Sequence, residues 1–246
     1  MRYVVAQSAS ELARLAAEDA AKQIRAAIDQ RGRANVVFAA GASQQAMLEV
    51  LTKTPGIRWE HVTGFHLDEY LGLDDRHPAS FCRYLRERVT QNIPIGMFHW
   101  IIGKTPDPQQ ECRRLGDLIA PHTVDVALIG IGENGHLAFN DPPADFETTE
   151  PFLVVDLDER CRRQQVGEGW FASLAEVPRQ AITMSIRQIL SARTIVCTVP
   201  DARKADAVAA AVLGPLRPDV PASVLQQHAN ATIYLDPDSA RYLIDF

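Results

Sequence analysis

Apolar residues along this chain follow two rhythms. From Ser8 to Gln30, Leu12, Leu15, Ile24 and Ile28 recur near the helical period, and Ser8 and Glu11 stand in capping-box spacing, which predicts a first helix covering one face of a sheet. The second rhythm is a continuous apolar run. Val124 to Ile131 crowds Val, Ala, Leu and Ile together without the alternation of a half-exposed strand, so it reads as a buried parallel strand. The same contrast repeats along the chain. After a turn at Gly32, Asn35 to Ala39 reads as strand, Gly41-Ala42-Ser43 as a tight loop, and Gln44 to Thr52 as a helix whose first turn Ser43 can cap. Val62 to His66 reads as strand and Pro78 to Val89 as helix, with Leu115 to Ala120 preceding the central strand. Strands at Ala181 to Ile186, Thr194 to Val199 and Thr232 to Leu235 follow, with a helix over Lys204 to Leu213. Asp156 to Pro178 fits either a helix or a mobile flap. Strands alternating with helices predict an α/β fold: a doubly wound, mostly parallel sheet with helices on both faces. No internal repeat or low-complexity linker interrupts the chain, and its proline clusters read as loops within one domain spanning 1–246.

Composition narrows the classes of function. With 246 residues, 46% hydrophobic and 23% charged, the chain can bury a substantial core. A net charge of −6 provides no footprint for nucleic acid or an anionic membrane, so an anionic ligand must be met locally. Cys82, Cys112, Cys161 and Cys197 stand singly, which suggests neither a zinc site nor a disulfide framework. No segment approaches the roughly 20 apolar residues that span a bilayer, and Met-Arg-Tyr-Val-Val-Ala is no signal sequence, so the expectation is a cytoplasmic protein. Homo-oligomerisation is left open.

The candidate chemistry sits where apolar strands end. In open α/β sheets the reactive crevice lies beyond the carboxyl ends of the strands, and four polar clusters meet that condition. Ser43 follows the first strand, Asp68 and Glu69 the second, Asn134 to Asp141 the central one, and Lys204 lies just beyond Thr194 to Val199. Each cluster has a plainer reading. Gly41-Ala42-Ser43 offers backbone N–H groups and a hydroxyl to an anion at a helix start, yet by itself it is an ordinary N-cap. Asp68 and Glu69 are consecutive, so on extended backbone only one faces a substrate, and solvated surface carboxylates are the commoner origin of such a pair. His136 alone could be a hydrogen-bonded loop histidine, and Lys204 a surface lysine. Neither glycine loop has Walker A or dinucleotide spacing, so no nucleotide is implied. His66, Asp68 and Glu69 lack a second histidine at helical ligand spacing, which speaks against a metal.

Two segments go further. Phe-His-Leu-Asp-Glu-Tyr-Leu-Gly-Leu at 65–73, with His77-Pro78-Ala79-Ser80-Phe81 after it, and Gly-Ile-Gly-Glu-Asn-Gly-His-Leu-Ala-Phe-Asn-Asp-Pro at 130–142 resemble the signature segments of the glucosamine-6-phosphate deaminase/isomerase family. The resemblance runs in the same order over nearly the whole chain. It implies a phosphosugar-isomerase-like fold and conversion of glucosamine 6-phosphate to fructose 6-phosphate and ammonia, with a small phosphosugar as substrate and no redox or metal cofactor. By motif, Asp68 matches the base that moves the proton from C2 to C1, and His136 the group that opens the pyranose ring. Ser43, the Gly41-Ala42 backbone and Lys204 match the phosphate cradle.

Departures from the family pattern lie around both groups. Asn134 and Asp141 stand where the best-known members have an aspartate and a glutamate. Asn134 can still hydrogen-bond the imidazole without supplying charge, so ring opening rests more on Asp141, about 1.3 Å shorter in reach than Glu. Gln165 falls on the arginine that completes the phosphate cradle, and Arg162 or Arg163 could substitute for it. Ala40 replaces a usual threonine. The allosteric phosphate pocket of regulated members falls near Asp145, Pro151 and Leu153, which predicts no activation by N-acetylglucosamine 6-phosphate. Two alternatives remain beside the deaminase: a 6-phosphogluconolactonase-like hydrolase, which shares the fold and a Gly-His loop, and a non-catalytic sugar-phosphate sensor, supported only by Asn134 and Gln165.

Overall fold

Backbone hydrogen bonding in the computed structural model, which describes residues 1–243 and so leaves the last three of the expected 1–246 unit outside the description, builds ten strands and seven α-helices. β1 (Arg2–Val5) leads into α1 (Ala9–Arg31), where the Ser8 side chain accepts from the Glu11 N–H. The return bond of the capping box goes to the Gln7 N–H instead of Ser8, at 2.7 Å. Gly32 closes α1 at φ 75°, a left-handed conformation that costs glycine nothing. Then follow β2 (Ala34–Phe38), α2 (Ala42–Lys53), β3 (Val62–His66), β4 (Asp68–Tyr70) and α3 (Phe81–Leu85), which runs on into a π-helical turn over Arg86–Thr90. β5 (Met97–His99), α4 (Pro108–Ile119), β6 (Val126–Ile129), β7 (Phe152–Asp156) and α5 (Glu159–Gly167) come next. β8 (Gln180–Met184), α6 (Ile186–Leu190), β9 (Thr194–Val199), α7 (Ala205–Leu213) and β10 (Ala231–Leu235) complete the order.

Seven strands form one parallel sheet in the order β1-β10-β9-β6-β2-β3-β5. The central strands are buried on both faces, which is why they carry no polar alternation. Val36, Phe38, Val126, Leu128 and Val196 pack beneath the alanine-lined face of α1 and beneath α2. Their neighbours Val37, Ala127, Ile129, Ile195 and Cys197 point to the opposite face, against α4, α6 and α7. The sheet is therefore doubly wound with helices on both faces, as the hydrophobic pattern predicts.

A second, antiparallel sheet departs from the expectation. β4, β8 and β7 pair in the order β4-β8-β7, so the strand expected at Ala181 to Ile186 belongs to this sheet, and it ends where Ser185 caps α6. Of Asp156 to Pro178, the segment that fitted either helix or flap, Asp158 caps α5 over Glu159–Gly167 and the remainder to Pro178 is turn and loop. Tyr70, Phe81, Phe139 and Phe171 form an aromatic cluster between this sheet and α5. β1 and β5 are short edge strands, half exposed, and neither carried enough hydrophobic pattern to be read from the sequence.

Candidate active site

The order in which strands are added to the large sheet reverses between β2 and β6. From β2 the chain winds through β3 to β5 on one side, and from β6 through β9 to β10 on the other. At such a switch point the loops leaving neighbouring strands diverge and open a crevice. Here that crevice is lined by Gly41, Ala42, Ser43 and Gln44 after β2, Asp68 after β3, Gly130 to Gly132 after β6, His136, and Lys204 after β9. Asp68 and His136, separate in sequence, thus face one cleft.

The two consecutive carboxylates part ways, as extended backbone requires. Asp68 lines the cleft, only 5% exposed, and burial pushes its pKa well up, with the Glu69 carboxylate adding to the effect. The surface-pair reading of these acids does not hold. Glu69 turns away and is also buried, accepting from Ser80 Oγ and the Cys82 N–H at 2.8 Å, from the Tyr70 N–H at 2.9 Å and from the Phe81 N–H at 3.2 Å. It holds the start of α3, whose Phe81 forms part of the cleft wall.

His136 is fixed by a close approach that only glycine permits. A Cβ on Gly132 would stand 2.2 Å from the imidazole Nε2 and Cε1. On the other side of the ring, His136 Nδ1 lies 3.2 Å from Asp141 Oδ1, although the two are too poorly aligned for a hydrogen bond. The carboxylate nonetheless faces this edge of the ring at close range. Burial pushes the Asp141 pKa up, but His136, the Asn134 amide and the Asp158 N–H together outweigh it, and the net shift is downward. Asn134 does not bond the imidazole. Its Nδ2 donates to Asp141 Oδ1 at 2.9 Å and to Asp158 Oδ2 at 3.2 Å, while its Oδ1 accepts from the His136 backbone N–H. It orients the carboxylate that faces the ring.

At the anion end, Gly41 takes φ 110° and no side chain caps α2. Ser43 lies within the first turn and does not cap it, so the hydroxyl and the first-turn N–H groups face the cleft. Lys204 is presented by Asp201, a non-glycine residue at φ 89°, and its side chain is 4% exposed. Burial pushes its pKa down, and the carboxylate of Glu168 pulls the other way. Gln165 lines the cleft with its Oε1 accepting from the Tyr70 hydroxyl at 2.6 Å. Arg162 does not face it. Its guanidinium donates to the carbonyls of Leu174 and Val177, closing the loop after α5, and Arg163 pairs with Glu159 at the surface. Neither arginine replaces the charge missing at Gln165, because the α5 face that meets the cleft carries Gln164, Gln165 and Glu168.

Those last residues, apart from Gln165, were not singled out in the sequence. Gln164 and Glu168 stand four apart, the spacing that stacks two side chains on one helix face, and this was the available signal. Gln44 was also missed. Its Nε2 donates to the Ile129 carbonyl and to Thr198 Oγ1, tying α2 to β6 and β9 beneath the cleft. Asn140 supports from behind, donating to the Leu137 and Met184 carbonyls.

Two groups of side chains bring three metal-type ligand atoms within 4.8 Å of one another: His66, Glu69 and Cys82, and His136, Asp141 and Cys161. In each, the carboxylate already accepts protein N–H groups, and burial lowers the His66 pKa to about 3. All four cysteines are free and buried, and no helix among the described residues is long and apolar enough to cross a membrane.

Known proteins share this arrangement of chain. A family model described as glucosamine-6-phosphate isomerases/6-phosphogluconolactonase matches residues 7–234. A glucosamine-6-phosphate deaminase of Lactobacillus delbrueckii subsp. bulgaricus is 35% identical over 245 residues, covering 99% of this chain and 100% of its own. One from an Exiguobacterium species is 37% identical over 203 residues, 82% of this chain and 78% of its own. The solved structure of a monomeric glucosamine-6-phosphate deaminase superposes with a TM-score of 0.89 at 31% identity, covering 98% of this chain and 99% of that one. A 6-phosphogluconolactonase from Trypanosoma brucei shares the fold, with a TM-score of 0.80 at 18% identity over 98% of each chain. The chain belongs to the family of glucosamine-6-phosphate isomerases and 6-phosphogluconolactonases.

Proposed function

We propose that this protein is a glucosamine-6-phosphate deaminase, which turns an amino-sugar phosphate and water into a ketose phosphate and ammonia. The observation that carries the reading is that a buried carboxylate whose pKa is raised and an imidazole backed by a second carboxylate line the same cleft as Lys204. A lactone hydrolase needs an activated water but no base poised to carry a proton between neighbouring carbons.

Ring opening comes first in the proposed sequence. His136, steadied by Asp141, passes a proton to the ring oxygen as the hemiacetal C1–O bond breaks and the C1 hydroxyl gives up its own. The open chain then presents an aldehyde at C1 and the amine-bearing C2. Asp68 removes the C2 proton as His136 returns to the C1 oxygen the proton that the C1 hydroxyl gave up, giving an enolamine; Asp68 then delivers its proton to C1 and the nitrogen loses one to His136, which leaves an imine at C2. Water adds there and ammonia departs, so the carbon is left as the ketone. A raised pKa suits Asp68 to this work, since a base that takes a proton and gives it back must hold it with intermediate strength. Lys204, Ser43 and the α2 amide groups hold the phosphate, with Gln165 beside them.

The test is ammonia release from glucosamine 6-phosphate, followed against ketose formation, with 6-phosphogluconolactone as the contrasting substrate. Asp68→Asn is expected to lower turnover by roughly 10²- to 10⁴-fold while a phosphosugar still binds. Turnover that survives the substitution, or lactone hydrolysis exceeding ammonia release, would overturn the assignment.

A further inference from the structure

Within the cleft, the end where an anion would bind already contains one. The Glu168 side chain is 7% exposed and its Oε1 lies 3.8 Å from Lys204 Nζ. The carboxylate is held there: Gln164 Nε2 donates to Oε1 at 2.7 Å and Trp170 Nε1 to Oε2 at 3.1 Å. Among the described residues Lys204 is the only lysine or arginine lining the cleft, and Gln165 brings no charge. Arg203 lies nearby but is engaged with Asp201 at 2.9 Å and Glu133 at 3.3 Å. An arriving phosphate therefore meets an ion pair, not a free cation.

We propose that Glu168 is a specificity-determining residue that competes with the ligand's anionic group for Lys204. Resting on the deaminase reading for the identity of the ligand, this makes the carboxylate the element that sets how weakly phosphate is held. A dianion must either displace Glu168 from Lys204 or bind beside it against like-charge repulsion, and both reduce affinity. The four-residue spacing from Gln164, which donates to it, and the anchoring Trp170 make this a built position and not a stray side chain.

Calorimetric titration of the full chain with inorganic phosphate and with glucose 6-phosphate tests the competition without needing turnover. Glu168→Gln and Glu168→Ala are each expected to tighten phosphate binding by roughly tenfold, by analogy with the cost of a like charge at this range. The KM for glucosamine 6-phosphate should fall with them while kcat changes less. In a Lys204→Met background the gain should vanish, because the cation being contested is gone. Unchanged or weaker phosphate binding in the folded variants, or no phosphate binding in any of them, would overturn the proposal. Absence of ammonia release by the unaltered protein would defeat the deaminase reading alone, since the phosphate titration would still decide the role of Glu168.

Discussion

Asp68 carries a thermodynamic burden that follows from its position. Burial, and then the neighbouring Glu69, raise its pKa in the folded chain above the ordinary 3.8, so the folded state holds this proton more tightly than the unfolded one. The sign follows: as pH rises through the ordinary value toward the folded one, the unfolded chain ionises first and stability falls, and above the folded value the full cost persists. Asp68→Asn removes that cost. It should raise stability by on the order of 1 kcal/mol at pH 7 and much less at pH 4, while turnover is lost. Thermal unfolding at both pH values checks this, and an equal gain at the two would contradict it. Asn134 supplies a second case. An aspartate there would turn two donated hydrogen bonds into repulsion from Asp141 and Asp158. We expect Asn134→Asp to cost about 1–3 kcal/mol in urea unfolding. At Gly132 the effect should be functional instead. A methyl group there meets the far end of the His136 ring, which can rotate away, so Gly132→Ala should keep the fold yet reduce ammonia release by on the order of 10²-fold.

Individual elements differ in how much of them the sequence disclosed, and the reason is where their energy resides. α1 announced itself because its cap, its period and its terminal glycine are all local, and the central strands because both faces are buried. β5 and β1 owe their strand character to a single parallel neighbour that no local window shows, and β8, though read as a strand, gave no sign of its antiparallel partners at residues 68–70 and 152–156. α3 lies inside the helix read at Pro78 to Val89, but what fixes its start at Phe81 was not legible. Five residues cannot sustain a helix on propensity, and its N-terminus depends on Glu69, a residue eleven positions before Ser80. Burial pushes the Glu69 pKa up and four hydrogen bonds pull it back, so the group is costly to bury and more costly to lose. Glu69→Ala should destabilise the protein by about 2–4 kcal/mol. Amide exchange should quicken first over Phe81 to Leu85, and uniform quickening across the sheet would show that Glu69 does not act through α3.

Across the whole molecule, the candidate site was legible wherever a residue follows a strand of the large sheet, and illegible where the second layer supplies it. Ser43, Asp68, His136 and Lys204 all lie beyond carboxyl ends of parallel strands, so strand order alone brings them together. Glu168 and Gln164 arrive on α5, which docks through the aromatic cluster around Tyr70 and Phe171, and that docking has no strand-end signature. The same layering separates the cleft from the region around Asp145, Pro151 and Leu153, on which the family resemblance places an allosteric phosphate pocket. Here the adjoining groove is lined by Asp141, Asp145, Asp156 and Asp158, with no lysine or arginine among its lining residues. Asp145 is already committed to the N–H groups of Glu147 and Thr148. A phosphate approaching this groove meets carboxylates of its own sign, and no cation is at hand to offset its desolvation. Rate against glucosamine 6-phosphate concentration should therefore be hyperbolic, with N-acetylglucosamine 6-phosphate changing neither kcat nor the shape of the curve. A sigmoidal curve made hyperbolic by that ligand would show that an anion site exists despite the acidic lining.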